Sequence, residues 1–185
     1  HLVADLPFMS YRNADVALAN SARLLAEGGA AMVKLEGAGW VCEVIDALKR
    51  HEIPVCAHLG LTPQSVHKFG GYRVQGRGSA DAARLKADAL AVQEAGADLL
   101  VLECVPAALG ADITKSLRIP TIGIGAGVDC DGQVLVIHDL LGITPGKRPR
   151  FVKDFLSGRG SIVEAIAAYA SDVRAGVFPA AEHSY

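Results

Sequence analysis

Two stretches of this chain follow one pattern, and that pattern restricts the fold more than any other feature. The first runs from Glu27 through Gly28, Gly29, Ala30 and Ala31 into Met32-Val33-Lys34-Leu35-Glu36. The second runs Glu94-Ala95-Gly96-Ala97-Asp98 into Leu99-Leu100-Val101-Leu102-Glu103. In each, a helical segment stops at glycine, the residue best suited to a left-handed helix terminus. A short apolar run follows, as expected of a parallel strand covered on both faces. Each strand closes on a carboxylate, which is costly to bury unless it binds something. Two such carboxylates in equivalent places predict a barrel whose strand ends form an active site.

The rest of the chain extends the pattern. Six strands are expected, at Leu2–Asp5, Met32–Glu36, Ile53–His58, Leu99–Glu103, Ile119–Ile124 and Val134–Ile137. Helical periodicity separates most of them. Ala14–Glu27 carries Val16, Leu18, Leu24 and Leu25, and Val41–Arg50 is amphipathic through Val44, Ile45 and Leu48. Ser79 is placed to cap a helix running to Ala95, with Asp81 favourable in its first turn. Pro106–Leu117 opens with proline at an early helical position. The tail predicts two further helices, Phe151–Leu156 and Ile162–Arg174. Alternating strands and helices make right-handed βαβ units and a parallel sheet. The chain is read as a single α/β domain over 1–185, a (β/α)8 TIM barrel, with C-terminal helices in 150–185. It supplies about six βα units. Two further strands with their helices, roughly 70–90 residues, are expected before His1. The rival architecture is an open doubly wound sheet.

Composition removes several function classes. A net charge of −2 with no basic stripe argues against nucleic acid as a partner. No apolar run reaches the roughly 18 residues of a membrane span. The four cysteines, Cys42, Cys56, Cys104 and Cys130, form no CxxC motif and fit free intracellular thiols.

Strand alternation then sorts the reactive side chains. Lys34 and Glu36 share a face, as do Val101 and Glu103. Asp5 and His58 close the first and third strands, so Asp5, Lys34, Glu36, His58 and Glu103 are expected around one mouth. Asp5 and Glu36 offer hard oxygen ligands suited to Mg²⁺. Lys34 can hold an anionic substrate group, and Glu103, outside the metal's reach, can serve as a general base. Taken singly, each residue has a plain structural alternative: Lys34–Glu36 as an ion pair, Asp5 as a cap. Gly123-Ile124-Gly125-Ala126-Gly127 reads as a tight strand exit more readily than as a phosphate cradle. The connection from Gly60 to Arg77 is too long and too glycine-rich for an ordinary turn, as functional loops tend to be.

Six segments carry a resemblance: ADLPFMSY, MVKLEG, HLGLTPQSVHKFGGYRVQGR, LLVLECVP, IPTIGIGAG and the final EHSY. Together they resemble the ketopantoate hydroxymethyltransferase family, in order and over essentially the whole chain. The resemblance implies a barrel of the phosphoenolpyruvate/pyruvate type. It implies transfer of a hydroxymethyl group from 5,10-methylenetetrahydrofolate to 3-methyl-2-oxobutanoate, giving 2-dehydropantoate for pantothenate synthesis. It implies Mg²⁺ on Asp5 and Glu36, oxoacid binding by Asp5 and Lys34, His58 near the substrate, and Glu103 as proton acceptor. It also implies a cytoplasmic homo-oligomer, typically a decamer. The family's Gly-Asp-Ser segment, which carries another metal ligand and a substrate-binding serine, has no counterpart here and is expected upstream. Rival readings are another Mg²⁺-dependent carbon–carbon lyase acting on 2-oxoacids, which would need no folate, and a barrel whose site has decayed.

Overall fold

A computed structural model describes all residues from His1 to Tyr185. The strands are β1 (Val3–Asp5), β2 (Met32–Glu36), β3 (Val55–Gly60), β4 (Leu99–Glu103), β5 (Thr121–Ile124) and β6 (Gly132–Gln133). The helices are α1 (Ala14–Ala26), α2 (Val41–Arg50), α3 (Val66–Phe69), α4 (Ser79–Ala95), α5 (Ala107–Ser116), α6 (Ile137–Leu140) and α7 (Ile162–Arg174), with short 3₁₀ turns at Pro63–Ser65 and Ala181–His183. The strands lie in the order β1-β2-β3-β4-β5-β6, and every neighbouring pair is parallel. A doubly wound sheet reverses its strand order at a switch point. No reversal occurs here, so the sheet is a stretch of barrel wall, with one unpaired edge on β1 and one on β6.

Alternation along the strands produces two apolar layers. Val33, Leu35, Val55, Ala57, Leu59, Leu100 and Leu102 face outward and join Val41, Val44, Ile45, Leu48, Leu85, Ala89 and Val92 of α2 and α4 in the main core. Cys56, Val101 and Ile124 face inward with Leu61, Cys104 and Phe151. Helix α2 therefore packs through the face its periodicity predicts. Helix α1 buries Ala17 and Ser21 most deeply, while Leu18, Leu24 and Leu25 pack at the core margin. Burial lifts the Cys56 and Cys104 thiols to about 12, which fits core packing for both, and all four cysteines are free.

The repeated glycines act slightly differently in the two units. Gly96 is the left-handed residue immediately after α4, as expected. After α1 the first residue, Glu27, stays right-handed, and Gly29 takes the positive φ.

Several sequence expectations need correction. The sixth strand is Gly132–Gln133, not Val134–Ile137, because the chain turns there into α6. Phe151–Leu156 is not helical. Its two phenylalanines are buried in different clusters, Phe151 toward the barrel interior and Phe155 beneath α7, and the segment bends to serve both. Ser79 is the first residue of α4 rather than its cap, and Gly78 holds the cap position without a side-chain bond. Pro106 likewise caps α5 from just outside it. Gly125 and Gly127 turn the chain sharply out of β5 with positive φ, and no helix follows directly, so this is a strand exit.

Candidate active site

Strand register assembles the site. Asp5 is paired with Lys34, Glu36 with His58, and Gly60 with Glu103. All five predicted residues therefore meet on the inner face, at the C-terminal ends of β1 to β4, where barrel active sites lie.

Lys34 does not pair with Glu36. Its ammonium contacts the Asp5 carboxylate on the neighbouring strand and lies 3.5 Å from His58 Nδ1. Glu36, 8% exposed, has other partners. Its Oε2 accepts the Gln64 main-chain N–H at 2.9 Å, and its Oε1 is 3.8 Å from His58 Nδ1. On the far side of the imidazole, His58 Nε2 is 3.2 Å from Glu103 Oε2. That approach is poorly aligned, so Nε2 is buried without a hydrogen-bond partner. One ring thus stands between two carboxylates, with an unused nitrogen beside Glu103.

Burial raises the Glu36 carboxyl above its usual range. The Gln64 N–H, His58 and Lys34 oppose this, while the Asp5 charge adds to it. Two hard oxygen donors close enough to repel each other are what a small divalent cation relieves. No group of three or more His, Cys, Asp or Glu side chains in this chain is arranged to hold a metal ion by itself.

Sequence reasoning missed Tyr11 and Gln64. Gln64 stands at the start of the long loop after β3. Its side-chain amide donates to the Leu6 carbonyl at 2.9 Å, and its Oε1 accepts the Tyr11 hydroxyl at 2.8 Å. The same hydroxyl is 3.4 Å from the Glu36 main-chain nitrogen. The β1–α1 segment, Glu36 and the long loop are thus tied together. The loop's length marked it as functional, but nothing in its spelling singled out Gln64. At its other end the loop is held by Gln75 N–H on the Cys104 carbonyl (2.9 Å) and Gly76 N–H on the Asp81 carboxylate (2.5 Å). His51 and His67 are exposed. Asp139 sits in α6, where its carboxylate accepts the Thr144 hydroxyl.

A family model described as ketopantoate hydroxymethyltransferase matches residues 1–181. The chain belongs to the ketopantoate hydroxymethyltransferase family. Relatives in that family include the 3-methyl-2-oxobutanoate hydroxymethyltransferase of Alkalilimnicola ehrlichii, 61% identical over 184 residues and covering 100% of this chain and 66% of that protein. The enzyme of the same name from Paraburkholderia phytofirmans is 57% identical over 184 residues, covering 100% of this chain and 68% of its own. That from Azoarcus sp. strain BH72 is 59% identical over 186 residues, with the same coverage of 100% and 68%. The chain thus spans about two thirds of the length of the curated ketopantoate hydroxymethyltransferase relatives it matches.

Proposed function

We propose that this protein transfers a hydroxymethyl group from 5,10-methylenetetrahydrofolate to 3-methyl-2-oxobutanoate, with Glu103 as the base. The observation that carries the reading is the His58 bridge: one buried ring faces Glu36 through Nδ1 and Glu103 through Nε2. It places a carboxylate free of other side-chain partners beside a two-carboxylate pocket and a lysine. The names and identities of the relatives support the same chemistry.

The reaction requires loss of the single proton on C3 of the oxoacid. Glu103 Oε2, at the end of a buried strand, accepts it, and a positioned base of this kind contributes about 10²–10⁴-fold. Lys34 holds the oxoacid carboxylate as a compact point charge. Asp5 and Glu36 would hold Mg²⁺ through their carboxylates, which are hard oxygen ligands. When bound there, the ion supplies charge stabilisation at the substrate's oxygens. The C3 electron pair then attacks the folate-borne carbon. A carbon–carbon bond forms, both folate C–N bonds to that carbon break, and water supplies the hydroxyl group, while its other proton and the proton taken from C3 go to the two freed folate nitrogens. His58 keeps the two carboxylates apart and presents Nε2 to a developing negative charge next to Glu103.

The test is proton exchange. With Mg²⁺ and 3-methyl-2-oxobutanoate in D₂O, the C3 proton signal should disappear from the NMR spectrum without folate. Glu103→Gln should abolish that loss and leave Mg²⁺ affinity within a few-fold. Exchange at the unmodified rate in Glu103→Gln would refute the assignment.

A further inference from the structure

Three strands of the barrel wall end in the same way. The residue directly after the last strand residue turns left-handed: Gly37 after β2 (φ +104°), Cys104 after β4 (φ +50°) and Gly125 after β5 (φ +63°). Glycine takes that conformation freely, whereas a side chain there crowds the backbone. Of the three, only Cys104 carries that cost, and it follows Glu103 directly. The main chain does not require a side chain at this point. Cys104 N–H donates to the Ile124 carbonyl, and the Cys104 carbonyl accepts the Gln75 N–H, both at 2.9 Å. Glycine would make the same two bonds without the strain.

The side chain has a definite place. Strand alternation would send residue 104 to the outer face, opposite Glu103. The left-handed turn instead brings Cys104 into the inner apolar cluster with Val101, Ile124 and Phe151. Cys104 and Glu103 thus line the same cavity, of about 710 Å³. Cys104 is only 5% exposed. Behind it stands Tyr185, whose hydroxyl is within hydrogen-bonding reach of the sulfur and whose carbonyl accepts the Ala107 N–H at 2.8 Å. Burial, with the Glu103 charge adding to it, pushes the thiol up to about 12, so it stays protonated and acts through its bulk rather than as a nucleophile. The Glu103 carboxylate, for its part, lacks a firm anchor. His58 Nε2 is 3.2 Å away but poorly aligned, and makes no hydrogen bond. A carboxylate held in this way is aimed by what packs beside it.

We propose that Cys104 is a positioning residue for Glu103: its side chain, turned onto the cavity wall and backed by Tyr185, holds the carboxylate in the orientation that reaches the substrate proton. The assignment rests on Glu103 being the base in the hydroxymethyl-transfer reading. It explains why a strained cysteine stands where glycine closes two other strands. Reactions of this kind are sensitive to small displacements, and a shift of about 1 Å in a reacting group can cost roughly a hundredfold in rate.

The experiment measures C3 proton exchange of 3-methyl-2-oxobutanoate in D₂O with Mg²⁺, using the full chain unmodified and as Cys104→Gly, Cys104→Ala and Cys104→Ser. Glycine keeps the turn and both main-chain bonds but removes the packing. Cys104→Gly should exchange about ten- to a hundredfold more slowly at saturating oxoacid, while KM for the oxoacid and Mg²⁺ affinity stay within a few-fold. The rate should recover in steps through Cys104→Ala to Cys104→Ser, whose side chain is nearest in size to the thiol. Exchange at the unmodified rate in Cys104→Gly, with or without a lower denaturation midpoint, would show that the thiol only packs the core and would overturn the proposal. A rise in KM as large as the fall in rate would overturn it too, by making Cys104 a wall of the substrate pocket. Cys104→Ser as slow as Cys104→Gly would overturn the packing origin. Each of these results leaves Glu103 as the base. Absence of exchange in the unmodified protein would instead overturn the hydroxymethyl-transfer reading on which the proposal rests.

Discussion

At the scale of single residues, charge compensation decides who does what. Asp5 is largely open to solvent, with 60% of its side chain exposed, yet it holds the ammonium of Lys34, whose side chain is only 19% exposed. Lys34 is consequently held by Asp5 and lies close to His58. Removing its charge should affect one substrate selectively. Lys34→Met keeps the apolar stem, and it should raise KM for 3-methyl-2-oxobutanoate by about tenfold or more, the scale of one charge-assisted hydrogen bond. KM for the folate should change far less. Equal effects on both, measured by steady-state kinetics, would identify Lys34 as a structural partner of Asp5 only. That these five residues share one face was readable in advance because each lies at or near the C-terminal end of a strand, and strand alternation fixes the face. Which of them touch was not readable, since pairing depends on cross-strand register: Lys34 meets Asp5 across the ladder, while Glu36 two residues on meets His58.

At the scale of elements, the informative junction is where β3 ends. Gly60 has φ +89°, and a Cβ there would collide with the Glu103 carbonyl oxygen and lie 2.9 Å from Val105 Cγ1. The adjacent Leu61 N–H donates to that same carbonyl at 2.8 Å. The strand carrying Glu103 and the start of the long loop are therefore pressed together at a point only glycine fits. Gly60→Ala should destabilise by about 2–4 kcal/mol, combining overpacking with a left-handed backbone. Chemical denaturation would measure this, and a loss below about 0.5 kcal/mol would show that the junction can relax. Strands β2 and β4 and helices α1 and α2 were legible from their apolar spacing, whereas α4 was placed by Ser79 and Asp81 at its start. The short elements were not. Two-residue β6 offers no alternation to detect, α6 spans one turn, and the aromatic spacing of Phe151–Leu156 reflects two separate burial sites rather than a helix face.

For the molecule as a whole, strands paired in chain order place every site residue on one continuous wall, so a ligand held there couples to the stability of the entire sheet. Ligand binding to the folded state alone stabilises it, by about 2.7 kcal/mol at a hundredfold excess over Kd. Saturating Mg²⁺ should accordingly raise the thermal midpoint of the protein, and Glu36→Gln should remove most of that rise. An equal rise in Glu36→Gln, followed by calorimetry, would place the ion elsewhere. The Glu36 carboxylate also illustrates how such a wall withstands drift in its gene. Its firm contact on the long loop is the main-chain N–H of Gln64, a group every amino acid except proline carries. Nineteen of the twenty codable residues at position 64 would leave that donor in place, so natural variation can reshape the loop's side chains, and with them what the loop recognises, without loosening the carboxylate beneath.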